Sequence, residues 1–195
     1  MEKHKHGERM KKERLARKIE FLENPHKRGD IPPDQLLSMI PVKQGNTFLD
    51  LGAGTGYLTI PAAKTSGGPV YALDVDPDML EVIQSKAKKH NLMNVRTLNG
   101  RIDDIPLPGD SVDIAIASLV LHEIDPLSKS LQQIRQVLKP EGYFVCVELE
   151  KREEDNNHHP RIAAEDMEQE MVKEGFRVVK KLKPTDKVYI LLAQK

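Results

Sequence analysis

Apolar residues along the chain fall into short runs of four to seven positions. Between them lie longer stretches in which they recur every three or four positions. The runs predict strands over 47–51, 70–74, 95–98, 112–117, 143–149, 176–182 and 188–193. The stretches between predict helices. Leu15, Ile19 and Leu22 mark one over 8–22. A short one follows over 33–40, with proline in its first turn. A helix over 57–65 contains Pro61, which removes a backbone donor, so a kink or a late start is expected there. Asp76-Pro77 reads as an N-cap followed by a first-turn proline, with Met79, Ile83 and Ala87 on one face of the helix that follows. Asp125-Pro126 repeats the device ahead of a Leu127, Leu131, Ile134, Leu138 stripe. Pro140-Glu141-Gly142 reads as a turn, and a helix over 162–174 stops at Gly175.

Strands alternating with helices of ten or more residues predict an α/β fold, a parallel sheet covered on both faces. The connection between the last two strands, through Lys183-Pro184-Thr185-Asp186, is too short for a crossover helix, so they must pair antiparallel. The expectation is a Rossmann-like, seven-stranded sheet.

Composition narrows the function. A length of 195 residues suits one principal domain. The 30 basic and 30 acidic side chains cancel, which argues against a polyanion such as nucleic acid as the main partner. Four Tyr, four Phe and no Trp are poor material for stacking bases. The single cysteine, Cys146, excludes a disulfide framework and a cysteine-based zinc site. Its place mid-strand predicts an inert core residue, and no metal is expected. The longest apolar stretch, 114–121, is interrupted by Ser118 and is far short of the roughly 20 residues a membrane helix needs. With a charged N-terminus lacking an apolar segment, this leads to the expectation of a cytoplasmic protein that is monomeric or homodimeric. Residues 1–30 hold ten Lys/Arg against six Asp/Glu, and His4, His6 and His26 lie among them. This segment, 1–31, reads as a basic helical extension and linker ahead of the domain at 32–195. It is either a basic arm for an anionic partner or a mobile or docked lid helix with a solvated face.

Chemistry concentrates after the first two strands. Gly52-Ala53-Gly54-Thr55-Gly56 follows the first, and three glycines in five residues let a backbone approach a ligand closely. Asp74 closes the second strand, 18 residues past Gly56, where a carboxylate can accept from both hydroxyls of a ribose. The spacing G-x-G-x-G differs from the dinucleotide fingerprint G-x-G-x-x-G. In addition, Asp50, two residues upstream, would repel a pyrophosphate. A ligand with an ammonium group, a carboxylate and a ribose suits Asp50, the loop and Asp74 together. S-adenosylmethionine is such a ligand.

The run LDLGAGTG, then ALDVDPDML, then IDDIPLPGDSVDIAIAS resembles the class I S-adenosylmethionine-dependent methyltransferases. Within them it is most similar to the ubiquinone/menaquinone-biosynthesis type and its small-molecule relatives. The resemblance spans about 32–195 and implies a sheet of order 3-2-1-4-5-7-6 with strand 7 antiparallel. It implies that Asp50, Gly52 and Gly54 hold the methionine end and Asp74 the ribose. Val75 would pack on the adenine face, the Ile102 backbone N–H would donate to an adenine nitrogen, and Ser118 would sit beside the methionine moiety. The family commonly carries an acid directly after Gly100, where this chain has Arg101. A guanidinium cannot accept, so either Asp103 takes over the adenine amino contact or the contact is missing.

His122, just after the fourth strand, stands where the family often has a pocket histidine. It is either a proton-transfer group or a hydrogen-bonded wall. His158-His159-Pro160-Arg161 follows the fifth strand as a candidate substrate lid or a solvated loop, and Glu154 with His158 lacks the helix geometry of a metal pair. The sequence after the fourth strand, Ala117-Ser118-Leu119-Val120, lacks the Asn/Asp-Pro-Pro-aromatic run of enzymes that methylate nucleic-acid amino groups. A small, partly apolar acceptor remains. Two alternatives stay open: a non-catalytic or regulatory S-adenosylmethionine-binding module, and a nicotinamide-dependent oxidoreductase.

Overall fold

The seven apolar runs form a single sheet in the computed structural model, which describes residues 2–24, 31–151 and 161–195. The strands are β1 (Phe48–Leu51), β2 (Val70–Asp74), β3 (Val95–Asn99), β4 (Val112–Ser118), β5 (Leu138–Leu149), β6 (Arg177–Thr185) and β7 (Val188–Gln194). Their order is β3-β2-β1-β4-β5-β7-β6. β1 to β5 run parallel, and β7 lies antiparallel between β5 and β6, as the short connection required. The described helices are α1 (Glu2–Leu22), α2 (Pro33–Ser38), α3 (Thr59–Ser66), α4 (Pro77–Lys89), α5 (Leu127–Val137) and α6 (Ala164–Lys173).

The period-2 alternation of the central strands sorts side chains onto two apolar layers. Leu49, Leu51, Ala115, Ala117, Phe144 and Cys146 join Leu131 and Ile134 of α5 and Met167 and Met171 of α6. Phe48, Ile114, Ile116, Val145 and Val147 join Leu36 and Leu37 of α2 and Ala62 and Ala63 of α3. Each buried Leu, Ile or Phe contributes roughly 1.5–3 kcal/mol, so these two layers dominate stability. Cys146 is fully buried among them, and burial pushes its thiol well above its ordinary value, which leaves it an inert packing residue.

Several element boundaries differ from the expectation for physical reasons. α3 starts at Thr59, so Pro61 falls in the first turn, where its missing N–H costs nothing. Asp76 caps α4 as predicted, its Oδ1 accepting from the Asp78 N–H at 3.0 Å. Asp125 does not repeat this. Pro126 occupies the N-cap of α5 without a side-chain cap, which places Asp125 one residue too early to reach the first turn. Leu138, expected in the helix stripe, instead pairs with Val112 at the start of β5, and the predicted turn at 140–142 lies within that strand, with Glu141 at φ 62°. α1 begins at Glu2 rather than residue 8, so it extends beyond the apolar stripe that marked it. Most of the expected linker, together with His26, Glu154, His158 and His159, lies outside the described residues. Among the described residues no helix is long and apolar enough to cross a membrane.

Candidate functional site

A cleft of about 890 Å³ opens at the carboxyl ends of the central strands. In an open α/β sheet, ligands bind there because the strand order reverses and adjacent loops diverge. Asp50, Gly52, Gly54, Asp74, Val75, Ile102, Asp103, Ser118 and His122 all line this one cleft.

The chain leaves β1 through a turn with left-handed backbone at its glycines, and at Gly52 a side chain has no room. Gly52 sits at φ +68°, and a Cβ there would lie 2.6 Å from Val120 Cγ2. Gly54 sits at φ +53°. The turn is tied to β2: Ala53 N–H donates to the Leu73 carbonyl at 3.0 Å, and Gly54 N–H donates to Asp74 Oδ2 at 2.7 Å. Asp74 Oδ1 accepts from the Asp76 N–H at 2.9 Å. One carboxylate therefore joins the glycine turn to the loop after β2, and each of its oxygens keeps a further lone pair for the cleft. Gly52→Ala is expected to destabilise the protein by about 1–3 kcal/mol, from left-handed strain plus the Val120 clash, and a chemical denaturation curve would measure it.

Three other walls complete the cleft. Val75 presents a β-branched apolar side chain that is 64% exposed beside Asp74. Asp50 is 6% exposed and accepts from Thr59 Oγ1 at 2.6 Å. Residues 101–104 form a tight turn, with Asp104 N–H donating to the Arg101 carbonyl at 3.2 Å and Ile102 and Asp103 at its tip. Arg101 Nε donates to Asp103 Oδ1 at 2.7 Å. With Lys129 3.4 Å away, it holds the Asp103 carboxyl below its usual range.

His122 lies in a short 3-10 turn after β4. Its Nδ1 is 2.7 Å from Oε2 of Glu148, a residue 1% exposed near the end of β5. That hydrogen bond is the main reason the imidazole binds its proton more tightly than usual; burial and the Arg161 charge oppose it. Glu148 was not singled out from the sequence. The available signal was a glutamate in the register of Phe144 and Cys146, where β5 turns every other side chain into the core.

α1 closes the mouth. Lys18, Phe21 and Leu22 line the cleft, and Lys18 Nζ donates to Asp76 Oδ2 at 2.6 Å. Glu23, just past α1, accepts from Lys86 Nζ at 2.5 Å and from the Thr55 hydroxyl of the glycine turn. The C-terminal end of α1 thus rests on the domain. Arg161, the described end of the His-His-Pro-Arg run, also lines the cleft.

A family model described as a methyltransferase domain matches residues 42–195. The chain belongs to this family. Among curated relatives, this methyltransferase-domain protein is 32% identical over 117 residues to the demethylmenaquinone methyltransferase of Geobacillus sp. (strain WCH70), covering 59% of this chain and 50% of that protein. It is 31% identical over 120 residues to the ubiquinone/menaquinone biosynthesis C-methyltransferase UbiE of Marinomonas sp. (strain MWYL1), covering 60% and 48%. The chain spans about half the length of the curated relatives it matches. A SAM-dependent methyltransferase from Aquifex aeolicus superposes with a TM-score of 0.82 at 28% identity, covering 91% of this chain and 96% of that one. The [4+2]-cyclase SpnF shares the fold at a TM-score of 0.76 and 19% identity, covering 84% and 79%, so the fold by itself does not dictate the reaction.

Proposed function

We propose that this methyltransferase-domain protein transfers a methyl group from S-adenosylmethionine to a small, quinone-type organic acceptor. The observation that carries the reading is Asp74: its carboxylate is bonded directly to the glycine turn at the wall of the cleft, with exposed Val75 beside it. These donors and acceptors fit the cofactor. Asp74 would accept from the ribose hydroxyls, and Val75 would cover the adenine face. The Ile102 N–H and Asp103 would meet the adenine edge, while Asp50, Gly52, Gly54 and Ser118 would hold the amino-acid end. When bound, the cofactor supplies a methyl group already activated by its sulfonium and departs as S-adenosylhomocysteine.

The chain's own tasks are then to align, to exclude water and to move one proton. Leu119, Val120 and Ile124 give the acceptor end an apolar wall. The names of the relatives support a quinone-type ring there. His122 receives the acceptor's hydroxyl proton on Nε2, and the electron pair stays on the acceptor as the nucleophile. The non-catalytic reading draws on one observation, the Arg101–Asp103 pair at the expected adenine edge. Family membership speaks against the nicotinamide alternative.

Calorimetry with S-adenosylhomocysteine is expected to give a micromolar dissociation constant, and NAD or NADP no heat. A flat titration of folded protein would remove the reading. α1 should slow cofactor exchange. Lys18→Ala with Glu23→Ala removes ion pairs worth together about 1–2 kcal/mol, so release of S-adenosylhomocysteine in stopped flow should be roughly tenfold faster. An unchanged release rate would show that the helix does not gate the site.

A further inference from the structure

Glu148 is a buried carboxylate that the reaction as described above leaves without a task. It lies 1% exposed at the end of β5, and its two oxygens are used differently. Oε1 accepts from the backbone N–H groups of Leu121 at 2.8 Å, Val120 at 3.1 Å and His122 at 3.4 Å. Oε2 faces His122 Nδ1 at 2.7 Å. A carboxylate can only accept, so in the neutral imidazole the proton must sit on Nδ1. The lone pair is then on Nε2, the nitrogen turned away from Glu148, and His122 lines the cleft. The other charges facing this ring are Glu123, whose Oε1 is 3.8 Å from Nε2 on a mostly exposed side chain, and Arg161.

We propose that Glu148 is a positioning residue, which selects the His122 tautomer that can take a proton from the acceptor and fixes the turn carrying it. The proposal rests on the methyl-transfer reading for its purpose, but its geometry is independent of the cofactor. The three backbone bonds to Oε1 also set Val120, whose side chain lies over Gly52. The same carboxylate thus braces the wall that the glycine turn leans on.

Glu148→Gln separates bracing from tautomer selection. The amide oxygen still accepts from the three backbone donors. The amide NH2 now faces Nδ1 and donates to it, so the proton moves to Nε2. A side chain of the same shape but the wrong polarity at this place in a catalytic triad costs on the order of 10⁴ in turnover. The experiment is ¹⁵N NMR of the His122 ring across pH on the full chain saturated with S-adenosylhomocysteine, with calorimetry of the same ligand alongside. Wild type is expected to show Nδ1 protonated and Nε2 bare in the neutral form. Glu148→Gln is expected to show the reverse and a midpoint at lower pH, with the dissociation constant changed less than about threefold. A neutral wild-type ring protonated on Nε2, or a tautomer and midpoint unmoved in the variant, would overturn the proposal. If the variant does not fold, the wild-type tautomer alone decides. Absence of S-adenosylhomocysteine binding by wild type would instead sink the methyl-transfer reading, and the ring spectrum, recorded without ligand, would still judge the proposal about Glu148.

Discussion

Replacing Asp74 with alanine is expected to raise the dissociation constant for S-adenosylhomocysteine by about 10²-fold. Two losses combine. A carboxylate accepting from a ribose hydroxyl contributes roughly 1.5–3 kcal/mol, and it disappears. The Gly54 and Asp76 N–H groups also lose the acceptor that holds the glycine turn and the loop after β2 at their present separation. Water can solvate both groups at this half-open strand end, so the folded state should survive and the melting temperature should fall by only a few degrees. Asp74→Asn keeps one oxygen but turns a donor toward one of those N–H groups, and is expected to fall between wild type and alanine. Calorimetry on the three proteins tests this, and an unchanged affinity in Asp74→Ala would refute the ribose assignment.

Substituting His122 with glutamine is expected to lower turnover by on the order of 10²–10⁴-fold while leaving cofactor affinity nearly unchanged. On the proposed reading the residue serves the acceptor and not the cofactor, so the loss should appear in kcat. Methyl transfer to 1,4-naphthohydroquinone, followed by mass, would measure it. The pH profile carries the same prediction. Glu148 raises the His122 pKa above the ordinary value of about 6.5. The proton-accepting form therefore accumulates only above that raised value. The rate should climb with pH through an acidic limb centred above 6.5, and the limb should vanish in the variant. The stability linkage has the opposite sense. A pKa higher in the folded than in the unfolded chain contributes stability that is fully present below about 6.5 and lost as pH rises through the folded value. Thermal stability should decline over that window in wild type and stay level in His122→Gln. A rate loss of less than about threefold would leave His122 as a wall of the pocket.

The element order, the parallel sheet and the antiparallel closing hairpin were legible from local pattern because each rests on short-range physics. Apolar runs bounded by turn residues make strands, Asp76-Pro77 starts a helix, and so short a connection as that between the last two strands cannot cross over. Asp125-Pro126 shows where this logic ends. The same dipeptide does not cap α5, because capping depends on where the helical spiral begins, and Pro126 already fills that position. Leu138 met the helix stripe by spacing yet pairs with Val112 in the sheet.

By itself the chain determined the glycine turn, the carboxylate at the end of β2 and the histidine after β4, since each sits at a fixed distance from a strand end. Only the tertiary structure decided what those groups touch. Glu148 reaches His122 across 26 positions of sequence, and Lys18 reaches Asp76 across 58. No periodicity reports such pairs, because they arise only when the folded chain brings separate elements to one edge of the sheet. A hydrogen bond depends on that distance in space and is blind to separation along the chain.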